Sequence, residues 1–397
     1  MSVFTRERIF LIIPYLLFLL FLGCVEFYFY GKVKQQKTDQ GYEITFFTHD
    51  GKKISTKEGP LHFVFSPFTL YQNKPDHSAH SFNVNSFGFR GKEIDFTSEK
   101  PEIFITGGSA AFGVGATSDE QTIDAHLENQ MQSYEVINAG VCGYLSGQEL
   151  VSIVTRLSNF NPDTIIAYNG YNDLFDAWFN YYLGTKKDQT EMGYNYIILP
   201  QLENELLKNY QTQVYLIPSL KRFLKTLLSK SYTIQYINHL NDRKRLTRIP
   251  ERKVHIPFLN TEYLDQVVQS YTQNIIRMNQ FCTVLGINFF AVLQPEVSQK
   301  ENKSEQEKSI IELMDEYLWD YKQDYTPVYH RFLEKSEQIL QEQQVPFVNI
   351  NNEQKFTKNS QTLFIDTVHT NDEGNKVVAE ILADYLSRMN MQNGSQE

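Results

Sequence analysis

The fold of this chain is decided by the stretch IFITGGSAAFG at residues 103–113. Apolar residues run directly into a glycine pair, which is followed by a serine, small residues and another glycine. This order predicts a buried parallel strand that ends in a tight turn and a helix start. Ser109 on such a turn projects its hydroxyl at the carboxyl end of the strand, near backbone amides that favour a developing negative charge. Taken alone, Gly-Gly-Ser is more typical of an ordinary strand–helix turn.

From Pro101 onward, strand-like and helix-like segments alternate. Helical segments near 120–132, 147–158 and 261–285 separate apolar segments that have the length of strands. The five predicted strands lie at 102–106, 134–138, 163–168, 287–293 and 346–350. Strands separated by helices predict a mostly parallel five-stranded sheet covered on both faces, a three-layer α/β/α sandwich with ligands at the carboxyl ends of the strands.

The composition is that of a folded protein with an acidic surface. The 397 residues carry a formal net charge of −10, which argues against general nucleic-acid binding. Three cysteines are too few for a disulfide framework. Cys142 and Cys282 could pair in an oxidising compartment, but two plain buried thiols are the favoured interpretation.

The N-terminus has the pattern of a membrane anchor. Arg6 and Arg8 lie in residues 1–8 and precede an apolar run at 9–30. As a helix this run would be about 33 Å long, close to the hydrocarbon thickness of a bilayer. We predict an uncleaved transmembrane signal anchor with a cytoplasmic N-terminus and all following residues outside. A cleaved signal peptide and a lipoprotein acylated on Cys24 stay open as alternatives.

Residues 31–98 are predicted to form a β-rich juxtamembrane segment. The sequence alternates at 42–46, and Asp50-Gly51 is a strong hairpin signal. The segment closes with NSFGFRG at 85–91, in which glycines bracket an arginine. The spacing of its histidines fits no metal-ligand template, so we expect packed or solvated side chains and no metal. These histidines are His49, His62, His77 and His80.

Two insertions interrupt the predicted sandwich. The segment at about 178–258 is aromatic and helical, and it contains a basic cluster that could contact anionic lipid headgroups or an acidic glycan. A solvated loop that balances an acidic surface is the favoured interpretation. The cluster consists of Arg243, Lys244, Arg245, Arg248, Arg252 and Lys253. The segment at about 300–344 is charged and predicted to be helical.

The stretch FIDTVHTNDEG at residues 364–374 precedes the last helix. Thr370 and Glu373 have the spacing of a capping box, which places Asp366 and His369 on the preceding loop. A separation of three residues on a turn can bring the carboxylate to one imidazole nitrogen and leave the other for Ser109. The pattern therefore predicts a serine nucleophile with its base and orienting acid.

Four blocks in this order resemble the SGNH hydrolases, also called the GDSL esterase/lipase superfamily. The resemblance implies that Ser109 is the nucleophile, His369 the base and Asp366 its partner. It also implies an oxyanion hole formed by the Ser109 amide, the Gly143 amide of NAGVCGY and the Asn172 carboxamide of NGYND. The implied fold is the flavodoxin-like SGNH fold, and the hydrolase domain covers residues 99–390.

The resemblance covers about 100–175 and 285–390 and has one departure. Gly108 stands where the family name has an aspartate, which is not a triad member. The NSFGFRG motif and the Leu-Gln-Pro after the fourth strand are similar to membrane-anchored bacterial members. Asp173 follows Asn172, and we expect it to cap the helix that begins there.

Together these features predict an extracytoplasmic, membrane-anchored serine esterase that uses no metal or other cofactor. We expect an acylated small molecule or glycan as substrate, with a short acyl group such as acetyl. The catalytic blocks are rich in small and polar residues, and residues 178–182 supply aromatic side chains. Two alternatives stay open: an O-acyltransferase acting on envelope polysaccharide at the same site, and a non-catalytic glycan-binding envelope protein. The sequence leaves the oligomeric state undetermined.

Overall fold

The computed structural model describes residues 23, 25–30, 42–47, 53–58, 63–182, 231, 233, 261–317 and 321–393. The chain divides into two compact units. The first comprises Met1–Gly41 and Tyr210–Lys253, and its described residues 25–30 are helical. The second comprises Tyr42–Asn209 and Val254–Glu397 and contains every strand and helix named below.

Three antiparallel hairpins precede the central sheet. Their strands are β1 (Tyr42–Phe47) with β2 (Lys53–Glu58), β3 (Phe63–Ser66) with β4 (Leu70–Asn73), and β5 (His77–Ser78) with β6 (Asn83–Val84). β1 and β2 pair in an antiparallel manner, as a hairpin requires, and Asp50-Gly51 between them lies outside the described residues. The hairpins belong to the same compact unit as the sheet.

The central sheet has five strands, and all of them are parallel. They are β7 (Glu102–Gly107), β8 (Glu135–Asn138), β9 (Thr164–Asn169), β10 (Asn288–Leu293) and β11 (Phe347–Asn349). Their order across the sheet is β11-β10-β9-β7-β8. All five predicted strands are confirmed. Every residue of β9 is buried, because helices cover both faces of a sheet of this kind.

Helices fill the connections between strands. They are α1 (Ser109–Phe112), α2 (Ile123–Gln130), α3 (Ser146–Thr155), α4 (Tyr171–Tyr182), α5 (Thr261–Val284), α6 (Glu305–Tyr317), α7 (Thr326–Glu342), α8 (Gln354–Thr357) and α9 (Asp372–Asn393). Helix α2 packs against α9, while α5 packs against α3, α4 and α7. The predicted three-layer sandwich is therefore confirmed.

The strand order places a switch point beside β7. The chain crosses from β7 to β8 on one side, and then returns past β7 to β9, β10 and β11 on the other. Connections that leave in opposite directions open a crevice at the carboxyl ends of the central strands. Ser109 lies at that crevice because it follows β7 directly.

The last helix begins differently from the prediction. Asn371, and not Thr370, is its cap: the Gly374 amide donates to Asn371 Oδ1 at 2.9 Å. Thr370 instead donates its hydroxyl to Asn375 Oδ1 at 2.5 Å. The capping box predicted for Thr370 and Glu373 is therefore wrong, because the neighbouring asparagine is the better placed acceptor.

Other predictions fall partly outside the described residues. Within the described part of the chain, no helix is long and apolar enough to cross a membrane, and most of the predicted anchor at 9–30 lies outside that part. Residues 178–182 continue α4, and the insertion through 258 is described only at 231 and 233. The predicted helical insertion at 300–344 contains α6 and α7. Cys142 and Cys282 are buried thiols.

Candidate active site

A continuous chain of hydrogen bonds joins Asp366, His369 and Ser109. His369 Nε2 lies 2.7 Å from Ser109 Oγ, and His369 Nδ1 lies 2.6 Å from Asp366 Oδ2. The structure thus brings together residues 260 positions apart in the chain. One imidazole nitrogen faces the serine and the other faces the carboxylate, which is the arrangement needed to accept the serine proton.

The loop that carries Asp366 and His369 is held by its own backbone. Asp366 Oδ1 accepts hydrogen bonds from the amides of Val368 at 2.9 Å and His369 at 2.8 Å. The Ile365 amide donates to the His369 carbonyl at 2.9 Å, which closes the loop. Withdrawal from water acts to raise the pKa of Asp366, but the His369 imidazole and the two amides outweigh it and lower the pKa. Asp366 is therefore an anion throughout the neutral range.

Gly143 lies in a β-turn at the carboxyl end of β8. The turn spans Val141–Tyr144, since the Tyr144 amide donates to the Val141 carbonyl at 3.0 Å. Gly143 has φ of +80°, a left-handed value that glycine adopts without a steric penalty. The Val141 amide donates to the Gly107 carbonyl at 3.0 Å, so the turn lies beside the end of β7 and close to Ser109.

Asn172 lies in the first turn of α4, on the other side of the same crevice. Its Nδ2 donates to the Tyr144 carbonyl at 2.9 Å. A Cβ atom at Gly108 would lie only 2.4 Å from Asn172 Nδ2, so the Asn172 amide lies directly against the residue before Ser109. The glycine that departs from the family name is thus explained: a side chain at 108 would displace Asn172.

Asp173 has a different role from the one predicted. It lies within α4 and does not cap that helix. Its carboxylate accepts from the Ser146 amide at 3.2 Å and from Ser146 Oγ at 2.5 Å, at the first residue of α3. Burial raises the pKa of Asp173 to about 6. The prediction assumed a local cap, whereas this helix start is bound from a neighbouring element.

The buried guanidinium of Arg90 binds backbone carbonyls at the carboxyl end of the short helix α1. Arg90 donates to the carbonyls of Phe112 at 3.0 Å and Gly113 at 2.8 Å, at the end of α1. Its Nε donates to Asp119 Oδ1 at 2.8 Å, which balances the charge. Sequence reasoning noted the glycines around Arg90 but assigned it no role. An arginine inside a motif of apolar residues and glycines is the signal that could have identified a buried site.

Asn138 completes this support from the end of β8. Its Nδ2 donates to the Ala111 carbonyl at 3.0 Å and to Asp124 Oδ1 at 2.6 Å. Its Oδ1 accepts from the Gly140 amide at 3.1 Å, which leads into the Gly143 turn. Helix α1, which carries Ser109, and the turn that contains Gly143 are therefore joined through one buried side chain.

The described residues contain no group of histidine, cysteine or acidic side chains that could hold a metal ion. Of the four histidines considered above, His77 and His80 belong to the described part, while His49 and His62 lie outside it.

Comparisons with known proteins give one family match. The model of the GDSL-like lipase/acylhydrolase family matches residues 240–382, a range that contains Asp366 and His369. No curated protein matches the chain.

Three solved structures illustrate the structural likeness. The acetylxylan esterase Axe2 from Geobacillus stearothermophilus is 13% identical, with 72% of this chain and 93% of that chain covered and a TM-score of 0.37. A GDSL-like lipase from Bacteroides thetaiotaomicron is 11% identical, with coverages of 72% and 88% and a TM-score of 0.37. The psychrotrophic esterase EstA from Pseudoalteromonas is 12% identical, with coverages of 73% and 98% and a TM-score of 0.37.

The doubly wound sheet and the family match define the class of this protein: it is an enzyme that hydrolyses ester bonds. Its residues 240–382 match a GDSL-like lipase/acylhydrolase domain.

Proposed function

We propose that this enzyme is a serine esterase in which Ser109, His369 and Asp366 form the catalytic triad. The observation that carries the proposal is the unbroken chain from Asp366 Oδ2 through the imidazole to Ser109 Oγ, with links of 2.6 and 2.7 Å. Both distances are those of short hydrogen bonds. In acyl transfer, this arrangement lets the imidazole accept the Ser109 proton as the hydroxyl attacks the ester carbonyl.

The reaction proceeds in two halves. Ser109 Oγ attacks the ester carbonyl carbon while His369 Nε2 takes the hydroxyl proton, and Asp366 stabilises the imidazolium that forms. The tetrahedral intermediate expels the alcohol, which receives that proton from His369, and an acyl-serine remains. Water then attacks the acyl-serine with His369 again as base, which releases the acid and restores the Ser109 hydroxyl.

The carbonyl oxygen becomes negatively charged in both tetrahedral intermediates. We assign its stabilisation to the amides of Ser109 and Gly143 and to Asn172 Nδ2. The position of Asn172 against Gly108 and the turn of Gly143 beside Gly107 support this assignment. Loss of one such donor typically lowers kcat by about 10²–10³-fold.

Substitution of the nucleophile tests the triad. Ser109→Ala should lower kcat for p-nitrophenyl acetate by about 10³-fold or more, and His369→Ala should come close to that loss. The matched control is Ser360→Ala, which removes an exposed hydroxyl. All three variants should keep the native circular dichroism spectrum. Turnover that survives in folded Ser109→Ala protein would show that another residue is the nucleophile.

We further propose that the enzyme removes short acyl groups, most simply acetyl, from a carbohydrate outside the cytoplasm. The small residues around Ser109 and the aromatic residues at 178–182 support this choice, and the apolar run at 9–30 supports an anchored location. In a chain-length series of p-nitrophenyl esters, kcat/KM should peak at acyl chains of about two to four carbons, since small residues leave little apolar surface for a longer chain. A profile that climbs steadily to long chains would instead indicate a lipase.

A further inference from the structure

We propose that Tyr71, in the hairpin ahead of the sandwich, is a positioning residue of the oxyanion hole. Its hydroxyl holds the peptide between Cys142 and Gly143 in the orientation that aims the Gly143 N–H at the reacting carbonyl oxygen. The inference rests on the function proposed above. It assigns a catalytic purpose to the β-rich segment, which none of the four blocks includes.

The peptide between Cys142 and Gly143 is the central peptide of the Val141–Tyr144 turn. The hydrogen bond of the turn joins the Tyr144 amide to the Val141 carbonyl at 3.0 Å, so it does not involve this central peptide. Type I and type II turns differ by a flip of the central peptide, and they share the same closing hydrogen bond. Gly143 at φ +80° has the value of the third position of a type II turn. Glycine at this position permits that orientation, and a contact to the Cys142 carbonyl would stabilise it further.

Tyr71 makes that contact. Its hydroxyl donates to the Cys142 carbonyl at 3.1 Å. In a trans peptide the carbonyl and the N–H of the next residue point in opposite directions. A hydroxyl that holds the Cys142 carbonyl on the hairpin side therefore turns the Gly143 N–H to the opposite side, toward the crevice that contains Ser109.

The tyrosine itself is rigidly placed. Its side chain is 2% exposed, and its ring packs edge-on against Phe63 and Tyr144 at centroid distances of 5.2 and 5.4 Å. The Tyr144 hydroxyl donates to the Tyr71 carbonyl at 2.6 Å, which ties the backbone of β4 to the turn. Burial raises the pKa of the Tyr71 hydroxyl well above its usual value, so the group stays protonated and remains a donor.

The hydrogen bond from Tyr71 to the Cys142 carbonyl also makes the Gly143 N–H a stronger donor. A hydrogen bond accepted by a peptide carbonyl polarises that peptide and makes its N–H a better donor, an effect that grows where water is excluded. Asn73 adds a second link between hairpin and loop, because its Nδ2 donates to the Gly140 carbonyl at 2.9 Å. The hairpin thus holds the oxyanion loop at both of its ends.

Tyr71→Phe removes only the hydroxyl and tests the proposal. We expect kcat for p-nitrophenyl acetate to fall about tenfold while KM stays within about twofold, because the donor acts on the transition state more than on bound substrate. The rate constant for labelling by a fluorophosphonate should fall by a similar factor. The final labelling stoichiometry should stay that of the wild type, and it reports the fraction of correctly folded sites.

The matched control is Tyr329→Phe. Its hydroxyl is also buried and also donates to a backbone carbonyl at 3.1 Å, that of Gln294 after β10. This variant should keep the kcat of the wild type. A second variant, with p-aminophenylalanine at position 71, restores a donor on the same ring and should recover part of the lost kcat.

The outcomes separate two kinds of failure. An unchanged kcat in fully labelled Tyr71→Phe protein, an equal loss in Tyr329→Phe, or a loss explained wholly by lower stoichiometry overturns the role of Tyr71. Labelling of Ser109→Ala protein at the wild-type rate overturns the proposed function itself. A slower labelling rate at full stoichiometry, seen only in Tyr71→Phe and partly restored by the amine, supports the inference.

Discussion

At the scale of single residues, three aspartates lie in two kinds of electrostatic environment. Asp366 lies beside an imidazole that can become cationic and accepts two amide hydrogen bonds, and its pKa is lowered. Asp124 and Asp173 accept hydrogen bonds from neutral donors, and burial raises the pKa of each to about 6. Only the environment of Asp366 is suited to stabilising an imidazolium. At neutral pH, the ionised carboxylates of Asp124 and Asp173 lower the stability of the folded protein.

The loss of stability on ionisation of a buried carboxyl gives a prediction for Asp124. Its pKa in the folded protein, about 6, lies above the ordinary 3.8, so the folded state binds the proton more tightly than the unfolded chain does. The stabilising contribution of the neutral carboxyl is present at low pH and is lost as pH rises from about 4 to about 6. Asp124→Asn should therefore be more stable than the wild type at pH 7, by up to about 3 kcal/mol.

The measurement is chemical denaturation at pH 4 and pH 7. Asparagine keeps an oxygen that can accept from Asn138, so the contact at 2.6 Å survives the change. The gain of Asp124→Asn in the free energy of unfolding should shrink toward zero at pH 4. Asp95→Asn is the control, since Asp95 is exposed and hydrogen bonds from Thr97 lower its pKa. A gain of the same size at both pH values would contradict the assignment of a raised pKa to Asp124.

At the scale of elements, the hairpins and the loop that follows them serve the site as much as the sheet does. Helix α1 has only four residues, Ser109–Phe112, so it cannot hold the nucleophile by its own hydrogen bonds. Arg90 and Asn138 bind the carbonyls at its carboxyl end, as shown above. The rigidity of the nucleophile therefore comes from side chains outside the helix.

The contribution of Arg90 can be separated from general stability. Arg90→Lys keeps the charge but loses the planar fork that reaches several carbonyls at once. We expect kcat/KM to fall about tenfold or more, because small displacements of a nucleophile are costly. Arg156→Lys is the control: this arginine donates to the Phe87 carbonyl and lies 4.3 Å from the Phe89 ring, away from α1.

Both arginine variants should lower the melting temperature, since each loses hydrogen bonds to backbone carbonyls. Only Arg90→Lys should lose kcat/KM in assays on protein shown to be folded. Equal losses in the two variants would assign Arg90 to stability alone.

At the scale of the whole molecule, the strands of the sheet could be predicted from the sequence because each is a short apolar run bounded by polar or glycine-rich turns. The three residues of the proposed triad could be singled out from the sequence for a related reason, since each follows a strand end or precedes a helix. Tyr71, Arg90 and Asn138 were not, because their partners are backbone carbonyls brought near only by the tertiary fold. Asp173 was misjudged for the same reason: its partner Ser146 lies 27 residues earlier in the chain.

The position of the molecule in the cell is a separate prediction. Arg6 and Arg8 precede the apolar run at 9–30, so a reporter enzyme fused after Glu397 should be active only outside the cytoplasm. The protein should also stay with the membrane fraction after a high-salt wash. Release by salt would mean that the apolar run does not anchor the mature protein, and a reporter active in the cytoplasm would reverse the predicted orientation.

The central claim is that Ser109 is the nucleophile activated by His369. Its most direct test is mass spectrometry of the full-length protein after reaction with a fluorophosphonate. We predict a single phosphonyl adduct on the peptide that contains Ser109, no adduct in Ser109→Ala, and much slower labelling in His369→Ala. An adduct on a different residue, or an equal yield in Ser109→Ala, would contradict the account.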